Sequence, residues 1–161
     1  MTGQVIVVDD EAAIREAVQQ WLELSGLHVR SCASAAQALA LIDRDFAGVV
    51  VSDVRMPGTD GLQLLDKLLE LDRDLPVILV TGHGDVPMAV QALRQGAYDF
   101  IEKPFTPERL LDSVRRALDK RRLVCENRQL REQFSRKDQI EAQLLGVSKP
   151  MENLRRQILE L

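Results

Sequence analysis

Val49-Val50-Val51-Ser52-Asp53 is a run of branched apolar residues without polar alternation, closed by a carboxylate. Such a run predicts a strand buried on both faces, as at the centre of a parallel sheet. Outward from it the pattern recurs. Val5-Ile6-Val7-Val8 meets Asp9-Asp10, Val77-Ile78-Leu79-Val80 meets Thr81, and Phe100-Ile101 leads to Lys103-Pro104. Helical patterns separate these pieces, so residues 1–120 predict five strand–helix units and a doubly wound α/β fold. Parallel sheets gather functional groups at the carboxyl ends of their strands. Three carboxylates, a hydroxyl and an ammonium are therefore expected in one pocket.

The intervening segments carry their own start and stop signals. Glu11–Leu24 has Ile14, Val18 and Leu22 on one stripe, and Gly26 suits the left-handed position after a helix C-cap. Val29–Cys32 is a poorer strand. Ser34 caps a helix with Ala38, Leu39, Leu41 and Ile42 inward, and Asp60 caps one with Leu62, Leu65, Leu68 and Leu69 as its stripe. Asp85 caps the fourth helix, with Pro87 in its first turn. Thr106-Pro107-Glu108 is an N-cap, a proline at the first helical position and a first-turn acid, which is a strong helix start.

The chain of 161 residues is 45% hydrophobic and 29% charged, values suited to one globular domain with something appended. No apolar run reaches the roughly 18–20 residues of a membrane span, and the start lacks a signal-peptide pattern, so no membrane partner is expected. Cys32 and Cys125 give neither a disulfide framework nor a metal-ligand spacing, and a reducing cytoplasm follows. Residues 1–106 carry 16 acidic and 8 basic side chains, whereas residues 107–141 carry 7 and 10. On a long helix with interspersed signs, that basic excess reads as a solvated face before it reads as a nucleic-acid contact.

From Pro107 to Glu141 there is no glycine or proline, about 50 Å if wholly helical. Roughly half of that covers a sheet. Leu110, Val114, Ala117, Arg121 and Val124 follow a 4-3-4-3 spacing, and Leu123, Asn127, Leu130 and Phe134 continue on a shifted frame. The pattern predicts a dimeric coiled coil with a frame slip, a polar Asn127 at the seam and Arg121 as an imperfection within it. A single protruding helix is the alternative. Residues 121–143 thus read as a helical linker continuous with the fifth helix, and residues 144–161 as the truncated start of another domain.

The residue types expected in the pocket predict phosphoryl-transfer chemistry. Asp53 is the candidate nucleophile, since aspartate forms acyl phosphates as covalent intermediates. Two unit charges ~4 Å apart repel by about 4 kcal/mol at an effective dielectric near 20, so three carboxylates resist ionising together. A divalent cation removes the conflict, and an all-oxygen, partly hydrated site suits Mg²⁺. Lys103 supplies a positive charge to phosphoryl oxygens, and Thr81 a hydroxyl that can bond them. Separately these residues are ordinary: a strand-end Asp is often a helix cap, Thr a β-former, Lys-Pro a loop. Their order on alternating units is what points to function.

Asp9-Asp10, Asp53, the run Met56-Pro57-Gly58-Thr59-Asp60-Gly61, Thr81 and Lys103-Pro104 together resemble the receiver domain of two-component response regulators. The resemblance covers residues 4–120. It implies a flavodoxin-like fold with strand order 2-1-3-4-5, the order given for this fold in general accounts of doubly wound sheets. It implies phosphorylation of Asp53 by a sensor histidine kinase. It further implies that Asp10, Asp53 and the Arg55 carbonyl bind Mg²⁺, with Asp9 acting through water, and that Thr81 and Phe100 form the switch. The stretches Ala117–Leu123, Glu126–Leu130 and Leu145–Met151 resemble the linker of NtrC-type activators, which leads to an AAA+ ATPase that remodels sigma-54 RNA polymerase on DNA. Within that group, Thr81–Val90 is most similar to regulators of four-carbon dicarboxylate transport; FixJ-type regulators share the run but attach another output domain. No GxxxxGK[ST] loop is present, so the chain is read as a regulatory phosphoacceptor and not as an ATPase.

Two alternatives stay open. An aspartate-nucleophile phosphatase of the haloacid-dehalogenase kind needs a D-x-D pattern after the first strand, and Asp9-Asp10-Glu11 lacks it. A receiver that only docks partner proteins would share every motif but respond to phosphorylation with no change of assembly. Dimer contacts are expected along the linker and on the face of the fourth helix, fifth strand and fifth helix, where Met88, Gln91 and Tyr98 are candidates. Arg55 and His83 flank the pocket, either tuning phosphate lifetime or facing solvent.

Overall fold

The computed structural model of the chain describes residues 3–82 and 86–145, with side chains as far as Phe134. Asp85 and His83, and the chain from residue 146 onward, lie outside the described residues. Strands and helices alternate: β1 (Gln4–Val8), α1 (Ala12–Leu24), β2 (His28–Cys32), α2 (Ala35–Leu41), β3 (Val49–Asp53), α3 (Gly61–Leu71), β4 (Val77–Thr81), α4 (Val86–Gln95), β5 (Asp99–Glu102) and α5 (Pro107–Leu145). The sheet is wholly parallel, in the order β2-β1-β3-β4-β5. This is the flavodoxin-like arrangement expected.

Residue chemistry accounts for each strand's place. β3 and β4 are buried at every position, as unalternating Val, Ile and Leu require of central strands. β2 exposes His28, Arg30 and Ser31, and polar residues suit its place at the sheet edge. One face of the sheet packs on Val18 and Leu22 of α1 and on Leu110, Val114 and Ala117 of α5. The other packs on Ala35 and Ala38 of α2, Leu64, Leu65 and Leu68 of α3, and Ala92 of α4.

The caps follow the predicted chemistry. The Ser34 hydroxyl accepts from the Gln37 N–H at 3.3 Å, and Thr106 Oγ1 from the Arg109 N–H at 3.2 Å. At α3, Asp60 Oδ1 accepts from the Gln63 N–H at 2.8 Å while Gln63 Oε1 accepts from the Asp60 N–H at 3.0 Å, a reciprocal capping box. Gly26 has φ +88° beyond the end of α1, the left-handed conformation expected there.

Three expectations change. In α3 the fully buried residues are Leu64, Leu65 and Leu68, with Leu62 and Leu69 only partly covered. Leu41, the last residue of α2, is 42% exposed, while Ala38 and Ile42 are buried and Leu39 is partly covered. The largest change concerns α5. Val114, Ala117 and Arg121, expected on a dimer seam, are each 0% exposed within the receiver's own body. Their 4-3 stripe faces the sheet, where burial removes them from contact with any partner helix. The first compact unit runs to Cys125.

A second unit begins at Glu126. Helix α5 extends through it to Leu145, with Asn127 exposed and with Leu130 and Phe134 64% and 63% exposed. Among the described residues no helix is long and apolar enough to cross a membrane.

Candidate phosphoacceptor site

The reversal of strand order about β1 and β3 opens a crevice at the carboxyl edge of the sheet. Register fills it. Val8 pairs with Ser52, and Asp53 with Val80, so the residues that follow β1 come level with the end of β3 and with Thr81 at the end of β4. One carboxylate oxygen from each of Asp9, Asp10 and Asp53 lies within 4.8 Å of the others, with Asp9 and Asp53 buried and Asp10 exposed. This donor set of three acid oxygens fits a hard divalent cation.

Asp53 is held from two sides. Its Oδ2 accepts from Lys103 Nζ at 3.2 Å, and its Oδ1 from the Arg55 N–H at 3.3 Å. The Lys103–Pro104 peptide bond is cis. Asp9 Oδ1 accepts from the Glu11 N–H at 2.9 Å. Burial pushes the Asp9 pKa above 3.8, partly opposed by that N–H; the Asp53 charge raises it further and Lys103 opposes. Thr81 is 0% exposed and its Oγ1 makes no hydrogen bond among the described residues. A buried hydroxyl without a partner is costly, so the position suits a group that supplies an acceptor.

Phe100 is half-buried against the α2–α4 side of the core, as is Met88 of α4. Tyr98 lies under the Lys120 ammonium, 5.6 Å from the ring centroid, and Gln91 is exposed. Val90 and Leu93 of α4 are 45% and 50% exposed. Asp9, Asp10 and Asp53 thus share one cluster, with Lys103 paired to Asp53 and Thr81 at the end of the neighbouring strand β4.

Two residues of the site escaped the sequence reading as individuals. Arg15 of α1 donates from Nη1 to the Asp9 carbonyl at 2.8 Å, bracing the turn that carries both acids. Its position one helical turn after Glu11 was the available signal. Gly61 donates its N–H to the Val54 carbonyl at 2.8 Å, and a Cβ there would stand 2.5 Å from the Asp53 carbonyl oxygen and 2.7 Å from Val54 Cα. Both obstacles are backbone, so the strand end must move. We expect Gly61→Ala to destabilise by about 1–3 kcal/mol in urea unfolding and to slow phosphorylation. Wild-type stability with wild-type phosphorylation would contradict the close approach.

This sheet order and acid-lined crevice define the receiver class of signalling domains. Residues 5–115 match the response regulator receiver domain, and the chain belongs to that family. It is 54% identical over 155 residues to the C4-dicarboxylate transport transcriptional regulatory protein DctD of Pseudomonas aeruginosa, covering 96% of this chain and 34% of that protein. With the protein of the same name from Rhizobium meliloti the identity is 57% over 151 residues, covering 94% of this chain and 33% of the relative. The chain therefore spans about a third of the length of these relatives. The solved receiver domain of NtrX from Brucella abortus superposes with a TM-score of 0.66 at 42% identity, covering 71% of this chain and 98% of that one.

Proposed function

We propose that this chain is the phosphoacceptor and linker part of a regulator of dicarboxylate transport, receiving a phosphoryl group on Asp53 from a sensor histidine kinase. The observation that carries the reading is Asp53 paired with the Lys103 ammonium and clustered with two further acids, with the unpartnered Thr81 hydroxyl at the end of the neighbouring strand. The relatives' names support the physiological assignment.

In the transfer step an Asp53 carboxylate oxygen forms the new P–O bond as the P–N bond to the kinase histidine breaks. The bonding pair leaves with the imidazole. Lys103, already 3.2 Å from Asp53, balances charge on the phosphoryl oxygens. Mg²⁺, held by Asp10, Asp53 and the Arg55 carbonyl with Asp9 acting through water, would neutralise the acids and the incoming group. The product places about two negative charges beside Thr81, whose hydroxyl then acquires its missing acceptor. Inward movement of Thr81 leaves space that Phe100 can fill by repacking, since a phenyl ring has no hydroxyl to redirect. The face of α4, β5 and α5 changes with it.

The output is a change of dimer arrangement. Its proposed surfaces are that face and the exposed Leu123, Asn127, Leu130 and Phe134, with Val124 half-buried beside them. Moving such an equilibrium from 1:99 to 99:1 needs about 5.5 kcal/mol of differential stabilisation, within reach of a few charge-assisted hydrogen bonds and aromatic repacking. In the longer protein, residues 144–161 would lead into an AAA+ ATPase acting on sigma-54 RNA polymerase at DNA. Cytoplasmic placement accords with two free cysteines. Sedimentation and small-angle scattering with and without Mg²⁺ and beryllofluoride test the switch. The expected result is a dimer whose shape changes; one unchanged assembly in both conditions favours the docking-only receiver.

Asp9 makes the cation measurable by pH and heat. Because its folded pKa lies above 3.8, the metal-free protein binds that proton more tightly than the unfolded chain does. The Asp9 contribution to stability therefore declines as pH rises from 3.8 through the folded value. Removing the charge should help the metal-free protein and hurt the loaded one. We expect Asp9→Asn to raise the metal-free melting point at pH 7 and to shrink the Mg²⁺-induced shift, which for wild type at a hundredfold excess over Kd is about 2.7 kcal/mol. An unaltered Mg²⁺ shift would remove Asp9 from the cation site.

A further inference from the structure

Arg121 is a charged side chain with no exposed surface. Its Nη2 donates to Asp72 Oδ2 at 2.7 Å and to the Phe46 carbonyl at 2.8 Å, and its Nε donates to the same carbonyl at 3.0 Å. The Arg44 carbonyl accepts from Nη2 at 3.4 Å, and Nη1 has no hydrogen-bond partner among the described residues. Asp72 is equally enclosed, its side chain 2% exposed. A buried ion pair with an unsatisfied donor is a poor source of stability, because apolar residues of similar volume usually do as well. Its best-attested use is to specify one arrangement among several.

The partners identify the arrangement. Phe46 precedes β3, the strand that ends at Asp53, and Asp72 caps α3 ahead of β4, the strand that ends at Thr81. Arg121 therefore joins the entry ends of the two signalling strands to α5. Nearer its start, α5 is tied to β5 by Asp99, which accepts from Ser113 Oγ at 2.8 Å and Arg109 Nη1 at 3.1 Å. Two positions after Arg121, Leu123 is 59% exposed and opens the outward stripe.

We propose that Arg121 is a coupling residue: by locking α5 to the entry ends of β3 and β4 through Asp72 and the Phe46 carbonyl, it makes the helix follow the sheet, so that phosphorylation alters linker pairing only while this clamp is closed. The inference rests on the linker switch proposed above.

The test compares the 161-residue wild type with the double variant Arg121→Met, Asp72→Asn, which removes both charges and keeps an acceptor for the Asp74 N–H. Hydrogen exchange over residues 114–125 and small-angle scattering are followed with and without Mg²⁺ and beryllofluoride. The double variant is expected to lose amide protection over 118–125 by about tenfold or more and to lose the beryllofluoride-induced change in scattering. It should still bind beryllofluoride within about twofold of wild type, since the clamp is remote from the pocket. Arg121→Lys, which keeps the charge but lacks the forked donors, takes its place if the double variant does not fold. A full beryllofluoride response in the variant overturns the coupling and leaves the switch standing. No response in wild type overturns the switch, and the coupling with it.

Discussion

Asp53→Asn is expected to reduce phosphoryl incorporation by about 10³-fold or more, to the background of the assay. An amide oxygen is a weak nucleophile, and the substitution also removes the charge that holds Lys103 Nζ at 3.2 Å and Arg55 N–H at 3.3 Å. The direct measurement is intact mass after incubation with acetyl phosphate and Mg²⁺. Wild type should gain one phosphoryl group that base hydrolyses, as an acyl phosphate must. The variant should gain none. Retained incorporation would move the acceptor to Asp9 or Asp10, the only other acids of the described cluster. Lys103→Ala separates the roles: it leaves the nucleophile in place, so its phosphorylation should be slowed and not abolished.

The largest expected loss of stability lies at the opposite end of the sheet. Asp72→Ala leaves the Arg121 guanidinium buried without its carboxylate, and breaking such a pair typically costs about 3–5 kcal/mol. For a body of this size that corresponds to a fall in melting temperature of roughly 10–20 °C. Removing both charges together should recover most of the loss, to within about 2 kcal/mol of wild type, because no bare ion then remains inside. Urea unfolding of the two single variants and the double variant measures the coupling directly. A loss under about 1 kcal/mol for Asp72→Ala would mean that water reaches the guanidinium.

A second carboxylate on α5's contact behaves differently with pH. Burial by itself would raise the Asp99 pKa, but hydrogen bonds from Arg109, Ser113 and the Phe100 N–H outweigh it and hold the value below 3.8. Its stabilising contribution is present above 3.8 and disappears as pH falls through the folded value. Asp9 acts above 3.8 in the opposite sense, so their effects on stability separate along the pH axis.

The strands and the pocket were legible because their information is local. An unbroken Val-Val-Val-Ser-Asp run has one stable environment, a central parallel strand, and parallel topology then brings successive strand ends to one edge. Asp9, Asp10, Asp53, Thr81 and Lys103 could be assembled from that rule without coordinates. The seam placement of Val114, Ala117 and Arg121 fails because a 4-3 stripe is the same pattern whether it faces a sheet or a partner helix. Position 121 looked like a flaw in a seam. Its partners stand 75 and 49 residues away, at the Phe46 carbonyl and the Asp72 carboxylate, and no spacing along α5 reveals them.

Periodicity, turn chemistry and strand-end acids were therefore enough, in the amino-acid sequence by itself, for the fold, the strand ends and the chemical class of the site. Burial of a charge depends on atoms brought together from distant segments, so only the tertiary structure decided that Val114, Ala117 and Arg121 belong to the receiver's interior and that Leu123 opens the outward face. The same holds for the Asp9 proton and the orphan Thr81 hydroxyl, whose energetics are set by neighbours that meet only when the sheet has formed.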